Sequence, residues 1–172
     1  MSNLVLSEFT LESSQPLSSW FKTAKDLYIF GGPQFAFPID QQQIAAYLDE
    51  KEKCPCTVLD SASRETIGHC KFNYSEPIPT ISRIFIAPKH RGKGYGKELV
   101  QLMSRRLFEE KAVKILQLYV FEFNTTARRC YEKVGFVVDL DETTYLVVQE
   151  ENWTRLKMKL SRKTFEDLMI KN

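Results

Sequence analysis

The chain has 172 residues, 43% hydrophobic and 27% charged, with a formal net charge of +2; that is enough for one domain with a real core and excludes a disordered or fibrous chain. So small a charge argues against nucleic acid or an anionic membrane as the main partner, and any basic site must be local. The opening MSNLVLSEFTLESS has neither a basic start nor a long apolar run, so no secretory leader is expected, and no window approaches the roughly 20 apolar residues of a membrane span.

Taken in chain order, residues 3–10 read as a first strand, apolar at Leu4 and Leu6. Pro16 then opens a helix, with Leu17, Trp20, Phe21 and Ala24 on one stripe. Gly31-Gly32-Pro33 closes that region in a turn. Asp40 caps the next helix, with Gln43 placed as in a capping box and Ile44, Tyr47 and Leu48 facing inward. Strands at 56–59 and 66–74 are joined across Asp60-Ser61-Ala62-Ser63, which reads as a hairpin turn. Pro77 and Pro79 set these apart from a strand at 80–87. A helix from about Gly94 to Glu110 turns Leu99, Leu102, Met103 and Leu107 inward. The β-branched and aromatic stretch 114–123 is a strand. Asn124 caps a short helix that stops at Gly135. Strands at 136–140 and 153–160 follow, then a terminal helix at 164–170. This order predicts an α/β (α+β) domain over residues 1–172, a mixed sheet of about seven strands with helices against it.

Cys54, Cys56, Cys70 and Cys130 do not form a disulfide framework, and Cys54-Pro-Cys56 with His69-Cys70 is spaced too tightly for an ordinary zinc set. No metal and reduced thiols in a cytoplasmic protein are the expectation.

The stretch PKHRGKGYGKEL, residues 88–99, is the most informative. Pro88 ends a strand and a helix begins a few residues later; Gly92, Gly94 and Gly96 permit positive φ and close approach of a ligand between them. The first amides of a helix lack internal partners and carry about half a positive charge, so such an end cradles phosphate oxygens. Arg91, Lys93 and Lys97 add full charges at the rim. A P-loop is ruled out because Arg91 stands where its first glycine should be and Glu98 follows Lys97. A dinucleotide fingerprint needs G-x-G-x-x-G, whereas this loop is G-x-G-x-G and lies mid-chain. A nucleic-acid loop lacks the interleaved aromatic platform, and a plain solvated turn is the bland alternative.

The run Ile84-Phe85-Ile86-Ala87-Pro88-Lys89-His90-Arg91-Gly92-Lys93-Gly94-Tyr95-Gly96 resembles the strand-loop-helix signature of the GNAT superfamily of N-acetyltransferases, whose [RQ]-x-x-G-x-[GA] is met by Arg91, Gly94 and Gly96. Downstream, Asn124-Thr125-Thr126-Ala127-Arg128-Arg129-Cys130-Tyr131-Glu132-Lys133-Val134-Gly135-Phe136 is similar to that superfamily's N-x-x-A-x-x-x-Y-x-x-x-G-F block. The element order agrees over nearly the whole chain. The resemblance implies a splayed central sheet, with strands 80–87 and 114–123 parting to admit acetyl-CoA. By that resemblance the amides of Arg91, Gly92, Lys93, Gly94, Tyr95 and Gly96 hold the pyrophosphate, and Ile84, Phe85 and Ile86 pair their backbone with the pantetheine arm. Asn124 hydrogen-bonds the cofactor, and the Tyr131 hydroxyl acts as general acid toward the leaving sulfur.

The implied reaction is attack of a primary amine on the acetyl carbonyl, with an amide near Ile86 stabilising the oxygen. Asn124 also has a plain task as N-cap and Tyr131 as a buried aromatic. Some members carry a glutamate where this chain has Tyr119, so no general base is assigned. Trp20, Phe21, Tyr28, Phe30, Phe35 and Phe37 fall in the segment that faces the acceptor in the superfamily; they line a cleft or fill the core. A small soluble amine is the expected acceptor, with a homodimer possible. A protein N-terminal or lysine acetyltransferase and a non-catalytic acyl-CoA-binding module are the alternatives.

Overall fold

A computed structural model of the protein describes residues 2–110 and 113–170; Met1, Lys111, Ala112, Lys171 and Asn172, part of the 1–172 domain expected from sequence, lie outside the described residues. Seven strands, Leu4–Glu8 (β1), Lys53–Asp60 (β2), Thr66–Asn73 (β3), Thr80–Ile86 (β4), Ile115–Phe121 (β5), Val137–Val148 (β6) and Glu151–Ser161 (β7), form one mixed sheet in the order β1-β2-β3-β4-β5-β7-β6. The helices are Gln15–Ser19 (α1), Ala24–Gly31 (α2), Gln41–Leu48 (α3), Tyr95–Glu110 (α4), Thr125–Glu132 (α5) and Arg162–Ile170 (α6). All neighbouring strands are antiparallel except β4 and β5.

That exception positions the site. The parallel pair meets in a single register contact, Thr80 opposite Gln117, where the Gln117 amide also donates to the Pro79 carbonyl at 3.1 Å. Beyond this point the strands part, so the splay expected from the resemblance is present. On β4's other side, the register with β3 slips between His69 and Lys71, so that Cys70 faces an extra residue. This is a β-bulge, and Arg83 within it takes φ of 53°.

Two apolar clusters cover the sheet. On one face, Leu99, Met103 and Leu107 of α4 pack on Val58, Ile67, Ile81, Leu116, Leu118 and Met158. Each such leucine contributes about 1.5–3 kcal/mol on burial, so this stripe anchors α4 and the loop before it. On the other face, Leu17, Leu27, Phe30, Ile44 and Tyr47 from α1 to α3 pack with Phe9, Phe21 and Phe35.

Several boundaries differ from the sequence expectation; β2, for one, begins at Lys53 and not at Cys56. The helix opened by Pro16 ends at Ser19, and the Thr23 hydroxyl, accepting from the Asp26 amide at 3.1 Å, starts α2 afresh. Gly31 is therefore helical, and the turn belongs to Gly32–Gln34. The last two strands run on into a long hairpin closed by Gln149 and Glu150, both at positive φ (48° and 67°). A two-residue turn of this kind usually announces itself with Asn-Gly, which this chain does not use. Asp40 caps α3 as read, accepting from the Gln43 amide at 2.8 Å, but the Gln43 side chain accepts from the Ala36 amide and donates to the Pro38 carbonyl, so the return bond of a capping box is not made. In the hairpin turn, Asp60 accepts from the amides of Ala62 and Ser63.

Candidate active site

The site is built from the open half of the β4–β5 fork and the loop that follows β4. Ala87 still donates to the Ile67 carbonyl on β3, at 2.8 Å, and Phe85 stands opposite His69. Strand alternation then turns the backbone groups of Ile84 and Ile86 the other way, toward the gap left by β5. Gly68 makes this packing possible, since a Cβ there would lie 2.3 Å from the Phe85 carbonyl oxygen.

After a turn at Pro88–His90 the chain passes through Gly92 and Gly94, whose φ values of 79° and 86° are open to glycine and strained for other residues. The first helical hydrogen bond runs from Glu98 to the Gly94 carbonyl at 3.2 Å. Among the described residues the amides of Gly92, Lys93, Gly94, Tyr95, Gly96 and Lys97 meet no acceptor. A row of unpaired donors at the head of a 16-residue helix has the chemistry to cradle an anion. Arg91 closes one side: its Nε donates to the Ile86 carbonyl at 3.0 Å, and its guanidinium lies 4.9 Å over the Phe85 ring. Gly96 faces α5, where a Cβ would meet the Cys130 sulfur at an ordinary contact distance of 3.6 Å. The Tyr95 hydroxyl points toward the β2–β3 hairpin, 3.5 Å from Asp60, so among its groups the backbone amide is the one that faces the cradle.

Asn124 and Tyr131 stand on α5. The Asn124 side chain accepts from the Ala127 amide at 3.3 Å and so performs the N-cap task. Tyr131 is buried, packing edge-on against Phe136, and burial pushes its phenol well above the ordinary value. Its hydroxyl therefore keeps its proton at neutral pH, and no hydrogen bond to it is found among the described residues. Sequence places Arg91 to Gly96, Ile84 to Ile86, Asn124 and Tyr131 in one constellation, and the fold brings them to one end of the fork.

The acceptor-side aromatics divide. Phe21, Phe30 and Phe35 are core, Trp20 stacks on Phe85, Phe37 is exposed, and Tyr28 packs on Phe121 and Trp153. Sequence reading missed Arg83, which donates to the Phe30 carbonyl at 2.9 Å and to Gln34, fastening α2 and its following turn to the bulge. The signal was an arginine inside an apolar strand. It also missed the surroundings of Tyr119, where Arg155 lies 4.8 Å and Lys157 5.5 Å from the ring centre. Those residues reach Tyr119 only through the β5–β7 register. His69 and Cys70 point to opposite faces of β3, His69 toward Tyr47 and Cys70 into the other cluster. Among the described residues no three His, Cys, Asp or Glu side chains converge on a metal position.

The chain resembles known proteins in keeping with this geometry. A solved spermidine N-acetyltransferase from Vibrio cholerae, in complex with CoA and spermine, superposes with a TM-score of 0.76 at 18% identity, over 95% of this chain and 98% of that one. This is a likeness of fold. A spermine/spermidine N(1)-acetyltransferase of Bacillus subtilis is 36% identical over 56 residues, 33% of this chain and 37% of the relative. A mycothiol acetyltransferase of Corynebacterium efficiens is 36% identical over 75 residues, 43% of this chain and 25% of the relative. The matches thus span well under half the length of these curated relatives. The family model for the acetyltransferase (GNAT) family matches residues 17–136, and the chain belongs to that family.

Proposed function

We propose that the protein transfers an acetyl group from acetyl-CoA to the primary amine of a small molecule. The observation that carries this reading is the row of unpaired amides from Gly92 to Lys97, set beside the open edge of β4. These amides, with Arg91, hold the pyrophosphate, and the backbone groups that β4 turns toward the fork at Ile84 pair with the pantetheine amides as an added strand would, the Ile86 carbonyl being already taken by Arg91 Nε.

The amine nitrogen attacks the acetyl carbonyl carbon, and a C–N bond forms as the C–S bond breaks. The Ile86 amide stabilises the carbonyl oxygen as charge gathers there. Tyr131 gives its proton to the departing sulfur, and its raised pKa keeps that proton available until the thiolate forms. The amine sheds its own extra proton through water, because Tyr119 stands where a carboxylate base would be.

The test is thiol release from acetyl-CoA across a panel of amines, with polyamines included because two relatives carry polyamine names. Tyr131→Phe should lower kcat by about 10²–10⁴-fold while leaving the acetyl-CoA dissociation constant unchanged. Unaltered turnover would remove Tyr131 from the mechanism. Tyr119 is the one feature favouring a non-catalytic acyl-CoA-binding module, which predicts cofactor binding with no turnover of any amine.

A pairing of two chains belongs to the same reading. The sheet ends in β6, a 12-residue edge carrying Val137, Leu140, Tyr145 and Val147 at 66%, 80%, 78% and 75% exposure, and an open apolar edge of that length is a template for another strand. Sedimentation velocity should show a dimer that Tyr145→Lys weakens; a monomer at all concentrations would refute it.

A further inference from the structure

Beyond the fork, on the face away from α4 and α5, β5 and β7 form a wall. Tyr119 pairs in register with Lys157 and Phe121 with Arg155, so these four side chains share that face. Within the acetyltransferase reading this is where an acceptor approaches, since the cofactor cradle lies at the head of α4. The charges on this wall are not balanced. Lys157 is held by Glu142 at 3.2 Å and Lys159 by Asp139 at 2.5 Å. Glu76 accepts from the Gln117 side chain, and Glu151 is engaged by Lys25 at 2.8 Å. Each of these carboxylates is therefore already taken.

Arg155 is different. Among the described residues none of its side-chain N–H groups meets an acceptor; its Nε is buried without a partner, and its guanidinium carbon lies 4.8 Å from the centre of the Tyr119 ring. A half-buried guanidinium with unpaired donors is costly, and a carboxylate that meets it side-on satisfies two donors at once. A polycation gains nothing here, because the free charge has its own sign.

We infer that Arg155 is a specificity-determining residue and that the acceptor is an amine carrying a carboxylate, of the amino-acid class, with Arg155 gripping the carboxylate while the amine faces the fork. This rests on the acetyltransferase reading and narrows its substrate class. It sets this chain apart from relatives named for polyamines.

L-Lysine and 1,5-diaminopentane form a matched pair that differs only in the carboxylate. Their kcat/KM ratio, with spermidine as a third acceptor, is the readout. A charge-assisted contact of this kind should favour lysine by about tenfold or more, chiefly through KM. Arg155→Gln should bring the ratio toward one, and Arg155→Lys should restore part of it. The ratio is taken within one variant, so general loosening of the hairpin moves both members together; the acetyl-CoA dissociation constant checks that each variant is folded. Wild-type preference for diaminopentane or spermidine, or an unchanged ratio in Arg155→Gln, overturns the carboxylate site and leaves the acetyltransferase reading intact. Bound acetyl-CoA with no amine acetylated overturns that reading, and this inference with it.

Discussion

Acidification should destabilise the protein through one histidine well before its carboxylates titrate. His69 is 1% exposed, its Nε2 lies 3.0 Å from the Tyr47 hydroxyl, its Nδ1 is buried without a partner, and the Phe9 ring stands 4.5 Å away edge-on. Burial first, then the charges of Arg83 and Lys71, push its pKa down to about 3 from an ordinary 6.5. A histidine held neutral in the folded chain costs nothing above its unfolded pKa. Below that value the unfolded chain takes up a proton that the folded chain refuses, so stability falls between about pH 6.5 and pH 3. From pH 7 to pH 5 the loss is about 2 kcal/mol. The carboxylates of Asp60, held down by the Ser63 amide, and Glu65, held down by Lys89, have lowered pKa values. Their stabilisation is present above the ordinary 3.8 and 4.5 and is lost only below that range. Urea unfolding at pH 7, 6 and 5 therefore isolates the histidine. His69→Gln gives a less stable protein at pH 7, through lost ring packing, but one whose stability changes little over this interval. A wild-type protein as stable at pH 5 as at pH 7, or a variant that keeps the wild-type slope, would refute the argument.

Three further outcomes follow from the backbone. Gly68→Ala places a methyl 2.3 Å from the Phe85 carbonyl oxygen; β3 and β4 must move apart, at a cost of about 1–3 kcal/mol, read as a lower urea midpoint together with weaker acetyl-CoA binding. Gly94→Ala meets no neighbour within 4 Å but sits at a φ of 86°. Its strain of about 1–2 kcal/mol should fall on the loop, raising the acetyl-CoA dissociation constant with little change in how the core melts. Asn124→Ala removes the cap on α5 and should cost about 1 kcal/mol in urea unfolding; an unchanged midpoint would mean that water replaces the cap fully.

Much of the fold was legible because local chemistry and tertiary packing agree. Asp40, Asp60 and Asn124 each accept the amide that their sequence position suggests. Leu99, Met103 and Leu107 recur at helical spacing and are fully buried. Reading failed where two signals competed. Leu17, Trp20, Phe21 and Ala24 suit one continuous helix, yet the Thr23 cap divides the segment, and Leu27 and Phe30 on the second helix carry the burial onward. The β6–β7 hairpin was cut short because exposed Leu140, Tyr145 and Val147 break the usual alternation, and because Gln149-Glu150 is a turn without glycine.

The two halves of the candidate site were legible to different degrees, for a physical reason. The anion cradle is made of main-chain amides, and what exposes them is local: a proline, glycines at positive φ and a helix start, all within one short stretch. A linear sequence carries such information intact. The acceptor wall is made of side chains from strands far apart in the chain, and whether Arg155 is free depends on which partner Glu142 and Asp139 have already taken. That is a property of sheet register across β5, β7 and β6, including the slip between Asp139 and Thr144. A one-residue shift of that register would turn Arg155 and Lys157 to the α4 face and remove the charge from the acceptor side altogether. If Arg155 grips the acceptor as inferred, acceptor choice is set by strand pairing, and mutations that move the β6–β7 bulge should alter it before they alter acetyl-CoA binding.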